Sequence, residues 1–255
     1  MNLINQFVYR PDATFAAAGF SPADLGLPYD DVTLEAADGV KLSAWHLPAR
    51  VPGNLLLYFH GNAGDIRDWV HAALPFVAED TSVFMLDYRG YGRSEGEPSE
   101  HGLYLDGAAA WHWVKAKAEV EKLRPAILGK SLGSAVAVHI AAEDGQSDSS
   151  ASLILDSAFS SMREVVARQI PAATAGLVPP LYESLARASE IRWPTLVLHG
   201  GRDMLVPLTH GRRIHEALPE PKRFTVIKEA GHNDISTFPE YHEQIVAFLG
   251  EQTGK

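Results

Sequence analysis

A serine hydroxyl is a useful nucleophile near neutral pH only when a base takes its proton and donors hold the oxyanion that forms. Three short stretches of this sequence carry groups suited to those tasks. The frame Gly129-Lys130-Ser131-Leu132-Gly133 sets a serine between two glycines, after the short apolar run 126–128 and before a small-residue run of helical character. A sharp strand-to-helix turn there lifts Oγ clear of the backbone, and the glycines leave room for crowded main chain. The chain has 11 histidines, so residue type alone selects no base. His232, in EAGHND, stands out because it follows the strand-like RFTVI and precedes the last helical segment. Asp203, in LVLHGGRDMLVP, lies in a glycine-rich loop just past the run 195–199, flexible enough to aim its carboxylate. It is the first candidate for orienting the imidazole and stabilising its charged form. Asp156, at the end of LILDS, and Asp234, two residues past His232, compete for that task; Asp234 better suits a cap on the following turn or helix.

The oxyanion needs two donors. The main-chain N–H of Leu132 follows the nucleophile directly, and that of Asn62 in HGNAGD comes from a loop after another apolar run. His60, in the same loop, is expected to tie loops together by an imidazole hydrogen bond. Lys130 adjoins the serine on a sharp turn and so points away from it. Pairing or snorkelling beneath the turn is its expected role, in preference to proton transfer.

These groups need a scaffold that brings several loops to one edge. VTLEAADGVKLSAWHLP at 32–48 reads as a hairpin turning at Asp38-Gly39. The solid apolar run within 54–61 suits a strand covered on both faces, and further strands are read within 81–90 and at 126–128, 152–157, 195–200 and 223–231. Helical stretches alternate with them at 66–79, 103–122, 132–143, 208–218 and 239–250. The alternation predicts one α/β domain over 1–255, a mostly parallel central sheet with helices on both faces. The first 30 residues read as loops punctuated by Pro11, Pro22 and Pro28. Residues 158–193 break the rhythm with helical pieces interrupted by prolines and Gly176, and are expected to form a short helical cap over the sheet edge where such folds bind ligands. That segment carries Met162, Val165, Val166, Ile170, Leu177, Val178, Leu181 and Leu185, enough apolar groups to pack the sheet and line an acyl pocket.

With 32 acidic against 22 basic side chains, the net charge of −10 argues against a nucleic-acid partner. Cysteine is absent, which removes disulfides and thiolate chemistry. The amino-terminal residues lack the pattern of a signal peptide, and no apolar run has the ~20 residues of a membrane span. A cytoplasmic protein without a membrane anchor is the expectation. Neither a metal-binding HExxH nor a dinucleotide fingerprint occurs, so no metal and no organic cofactor is expected.

The ordered stretches HGNAGD (60–65), DYRGYGRSEG (87–96), GKSLGS (129–134), HGGRDMLVP (199–207) and GHND (231–234) resemble the compact serine-hydrolase branch of the α/β-hydrolase superfamily. The resemblance spans about residues 30–250. It implies an α/β-hydrolase fold with the triad Ser131, Asp203 and His232 and oxyanion donors at Asn62 and Leu132. Arg89 and Ser94 are implied to be structural. It further implies hydrolysis of a small-molecule carboxylic ester with a small to medium acyl chain, through an acyl-enzyme. Acyl thioester or lipid-ester hydrolysis is the alternative, since similar enzymes with those activities often carry a hydrophobic anchor that this sequence lacks. A non-catalytic binding protein is the remaining class, disfavoured because it would not need the orienting acid.

Overall fold

Strand β3, Asn54–Phe59, is buried at every position. Its side chains divide by parity, as a pleated strand requires. Leu55, Leu57 and Phe59 enter one apolar cluster, and Leu56 and Tyr58 the other. A strand that must satisfy two cores reads as an unbroken apolar run, which is why its sequence shows no alternation. The same holds for β4 (Thr81–Leu86), β6 (Ser152–Asp156) and β7 (Thr195–Gly200), all buried throughout.

These strands belong to one eight-stranded sheet in the computed structural model, which describes residues 7–144, 151–171 and 178–251. With β1 (Asp30–Glu35), β2 (Lys41–Leu47), β5 (Arg124–Lys130) and β8 (Lys222–Ile227), the order is β1-β2-β4-β3-β5-β6-β7-β8. The hairpin of β1 and β2 is antiparallel and β2 runs antiparallel to β4; every other pairing is parallel. Trp111 and Val114 of α3 (Glu100–Glu121) and Val136 and Ile140 of α4 (Leu132–Asp144) cover one face. Residues of α1 (Ile66–Trp69), α2 (Leu74–Ala78) and α7 (Pro239–Glu251) cover the other, among them Ile66, Phe76, Tyr241 and Ile245. The predicted α/β architecture, a mostly parallel sheet flanked by helices, is the observed one.

Three boundaries differ from the sequence expectation for local reasons. The stretch 66–79 is two short helices with a 3-10 turn between them, because Pro75 at the start of α2 has no N–H to continue a helical ladder. Helix α3 begins earlier than predicted, at Glu100, where the Ser99 hydroxyl accepts the Gly102 N–H at 3.1 Å. The opening segment is more than loop. It holds a 3-10 helix at Pro22–Leu25, and Arg10 forms a parallel bridge with Ala63.

Within 158–193, helices α5 (Met162–Ala167) and α6 (Ser184–Ala188) are seen, while residues 172–177, including Gly176 and Leu177, lie outside the described residues. Val178 is buried, and Ile170, Leu181 and Leu185 pack against the larger core cluster. The Tyr182 and Tyr9 hydroxyls share a 2.8 Å hydrogen bond, which joins this segment to the amino-terminal arm.

Candidate active site

Ser131 follows β5 directly and precedes the first residue of α4. Its φ of 52° lies in the left-handed region, a conformation a side chain adopts only where its surroundings impose it. The imposition is visible at Gly133. A Cβ there would stand 2.1 Å from the Phe59 carbonyl oxygen and 2.7 Å from that of His60, so the turn presses against the end of β3. The Ser131 N–H donates to the Asp156 carbonyl at 2.9 Å, which fastens the turn to β6.

The Ser131 hydroxyl lies 3.0 Å from His232 Nε2, and His232 Nδ1 lies 2.7 Å from Asp203 Oδ2. The network assigns Nδ1–H as donor to the carboxylate and leaves Nε2 to accept from the serine. The second carboxylate oxygen, Oδ1, accepts the N–H groups of Leu205 at 3.0 Å and Val206 at 2.7 Å. Burial alone would raise the Asp203 carboxyl. The hydrogen bond and charge of His232, with the Val206 N–H, outweigh it and hold the group below its ordinary value. Its stabilising contribution is therefore present above the ordinary carboxylate range and is lost as pH falls through the lowered value.

Close backbone contact brings these two loops together, and this corrects the expectation that the Asp203 loop is glycine-rich for flexibility. A Cβ on Gly200 would lie 2.5 Å from the Gly231 carbonyl oxygen. The glycine is there so that the loop after β7 can touch the loop after β8.

Lys130 is buried under the turn. Its ammonium pairs with Asp156 at 3.0 Å and donates to the His232 carbonyl at 2.7 Å. Of the two expected roles, pairing is the one observed. Asp156 also accepts from Ser157 at 2.9 Å, so it is committed beneath the site and not to the imidazole. Lys130→Met is expected to lower stability by about 3–5 kcal/mol, because it strands a buried carboxylate. It should also reduce any turnover, since the His232 backbone loses its donor. An unchanged melting temperature in calorimetry would refute this account.

Asp234 accepts the Gly231 N–H at 2.7 Å. Its side chain thus closes the turn before it. Asp234 is the N-cap residue of the 3-10 turn that follows, as expected, but through its main-chain carbonyl, which accepts the Thr237 N–H at 2.9 Å, and not through its side chain. His60 donates from Nδ1 to the adjacent Gly61 carbonyl at 2.7 Å, so its bond is local, and Trp69, Tyr88 and Tyr91 surround its ring. Burial lowers its pKa to about 4, which keeps it neutral. The Asn62 carbonyl accepts Arg10 N–H and Tyr91 O–H, both at 2.9 Å, and so fixes the loop that presents the Asn62 amide. Among the described residues, neither the Asn62 nor the Leu132 N–H has a hydrogen-bond acceptor.

Ser131, His232, Asn62 and Leu132 all line one open cavity of about 580 Å³. Phe159, Met162, Val165 and Val166 give it apolar walls, and Phe7, Arg10, Trp69 and Gln169 complete much of its rim. A carbonyl compound held over Ser131 would meet a hydroxyl, a base and two available amide donors.

The sequence pattern of the alpha/beta hydrolase fold family matches residues 54–178. An uncharacterised protein of Mycobacterium tuberculosis is 39% identical over 232 residues, covering 90% of this chain and 80% of its own length. The alpha/beta hydrolase domain-containing protein WAV2 of Arabidopsis thaliana is 30% identical over 238 residues, 87% of this chain and 73% of that one. The chain belongs to the α/β-hydrolase family. Among solved α/β-hydrolases, an esterase of Pyrococcus furiosus superposes with a TM-score of 0.77 at 24% identity, covering 96% of this chain and 99% of that one. An alpha-beta hydrolase of Vibrio vulnificus gives a TM-score of 0.79 at 20% identity, over 96% of this chain and 92% of its own. Identities this low show a shared fold.

Within this α/β-hydrolase, Arg89 and Ser94 act as structural ties, as the resemblance implied. Arg89 joins Asp38 to Asp106, and Ser94 Oγ donates to the Asp87 carbonyl at 2.7 Å. Sequence reasoning missed His199. It is fully buried, its Nε2 donates to the Val206 carbonyl at 2.8 Å, and that nitrogen lies 3.6 Å from Asp203 Oδ2. Burial lowers its pKa, so it braces the acid loop as a neutral ring. Its place four residues before Asp203, at the end of a buried strand, was the available signal.

Proposed function

We propose that this protein is a serine hydrolase that cleaves carboxylic esters of small to medium acyl chains. The observation that carries the reading is the continuous hydrogen-bonded chain from Ser131 through His232 to Asp203 at a cavity with apolar walls. Ser131 Oγ attacks the ester carbonyl while His232 Nε2 takes its proton. The Asn62 and Leu132 N–H groups receive the negative charge, each such donor being worth about 3–4 kcal/mol in the transition state. The imidazolium, held by Asp203, then protonates the departing alkoxide and the acyl-enzyme remains. Water attacks that ester, gives a proton to His232, and the proton returns to Ser131 as the carboxylic acid leaves.

Residues 158–193 serve in this reading as a short cap on a single domain. Their side chains at Phe159, Met162, Val165 and Val166 form the acyl wall. The cavity falls within the size range of small-molecule sites, and each added methylene it covers contributes about 0.8 kcal/mol. Efficiency on p-nitrophenyl esters is therefore expected to peak between about C2 and C8, once the wall's apolar surface is filled. Measuring kcat/KM from C2 to C16, below micelle-forming concentrations, tests this. A rise sustained through C16 would reject the small-pocket reading and favour a lipid or long-chain thioester substrate.

A further inference from the structure

Arg10 lies on the wall of the Ser131 cavity, and its main chain is built into the oxyanion loop. Its N–H donates to the Asn62 carbonyl at 2.9 Å, its carbonyl accepts the Gly64 N–H at 3.2 Å, and it bridges Ala63. The arm is thus bridged, at this one residue, to the loop that presents the Asn62 main-chain N–H. The Arg10 side chain is exposed and has no acidic partner among the described residues. Other arginines pair with carboxylates, as Arg67 does with Asp65, Arg89 with Asp38 and Arg213 with Glu164, whereas Arg50, Arg168 and Arg212 have no acidic ion-pair partner among the described residues and do not line this cavity. What sets Arg10 apart is its place: its guanidinium has no carboxylate partner and the residue lines the cavity that holds Ser131 and His232. Among the described residues no aspartate or glutamate lines that cavity, and Arg10 and the His232 imidazole are the lining groups able to carry charge.

A guanidinium offers planar, paired donors that match a carboxylate or phosphate in a way no neutral group does. The apolar side chains of 159–166 suit an acyl chain, which leaves Arg10 to meet the other half of the ester. We propose that Arg10 is a specificity-determining residue that binds an anionic group, carboxylate or phosphate, on the alcohol part of the substrate. The substrate class is then an acyl ester of an acidic alcohol. This deepens the serine-hydrolase reading and rests on it. Because the arm's hold on the oxyanion loop is made by main-chain atoms, a substitution at Arg10 keeps the bridge and removes the charge.

The test is a ratio of kcat/KM values, which cancels any loss common to all substrates. One pair is 4-carboxyphenyl butyrate against the neutral 4-carbamoylphenyl butyrate; a second is glycerol phosphate monobutyrate against monobutyrin. Phenyl hemisuccinate against phenyl butyrate places the charge on the acyl side instead. The protein is expected to prefer the anionic member of the first or second pair by about fivefold or more. The pair with the larger preference tells carboxylate from phosphate. The preference should reside mainly in KM, shrink at high salt, fall near unity in Arg10→Gln and largely persist in Arg10→Lys. No anionic preference in either alcohol-side pair, or one that survives Arg10→Gln, overturns the proposal. An Arg10-dependent preference confined to the hemisuccinate overturns its alcohol-side placement. If the neutral esters turn over in all these cases, the hydrolase reading stands. If none turns over and a fluorophosphonate leaves Ser131 unlabelled, that reading falls and this inference falls with it.

Discussion

Ser131→Ala is expected to abolish covalent fluorophosphonate labelling and to lower ester kcat/KM by on the order of 10⁴–10⁶-fold. In the proposed mechanism the loss is large because the His232 imidazole takes its proton from Oγ, and the Asn62 and Leu132 N–H groups hold an oxyanion that forms only when Oγ attacks. The substitution removes one oxygen from a half-buried position and leaves the elbow's main-chain bond to Asp156 in place. A folded protein is therefore expected, with its melting temperature close to that of the parent. Intact-mass analysis after labelling decides the matter. Equal adduct formation on a folded alanine variant would remove Ser131 from the chemistry and turn attention to another nucleophile.

Asp203→Asn is expected to cost about 10²–10⁴-fold in kcat/KM, with Asp156→Asn costing far less. Both positions are buried carboxylates at the carboxyl ends of neighbouring strands, yet they face different partners. At 203 an amide loses the charge that balances the imidazolium, and its NH₂ can face the ring so as to reverse the tautomer. At 156 an amide still offers an oxygen to Lys130 but leaves that buried ammonium without a counter-charge. The Asp156 variant should thus be poorer in thermal stability than in turnover, and the Asp203 variant the reverse. Loss of turnover confined to the Asp156 variant, with both proteins folded, would show the acid to be misassigned.

How far the sequence announces this site depends on how local each signal is. Ser131 and His232 are legible because each stands just past a recognisable apolar strand, and the chemistry needs them there. Asp203 was preferred over Asp156 by its loop and by chain order, and the structure brings its carboxylate to the imidazole. The sheet was legible because strands such as Leu55–Phe59 and Val83–Leu86 are covered on both faces and cannot hide among polar residues. Arg10 was not legible. Its position depends on pairing with Ala63, far along the chain, and nothing in VYRPDAT announces a partner. The role of Gly200 was misjudged for the same reason, since the crowding that requires a glycine comes from the loop around Gly231. The split of 66–79 was within reach, because Pro75 is plain in the sequence.

Lys130 gives the site a property that the separate distances do not express. One ammonium, rooted in the residue before Ser131, grips the main-chain oxygen of His232 itself. The main chain beneath the serine is thus tied by this side chain to the main chain that carries the imidazole, in addition to the side-chain bond between the two groups. Lys130 thereby acts as a brace between two loops that the chain order keeps 102 residues apart.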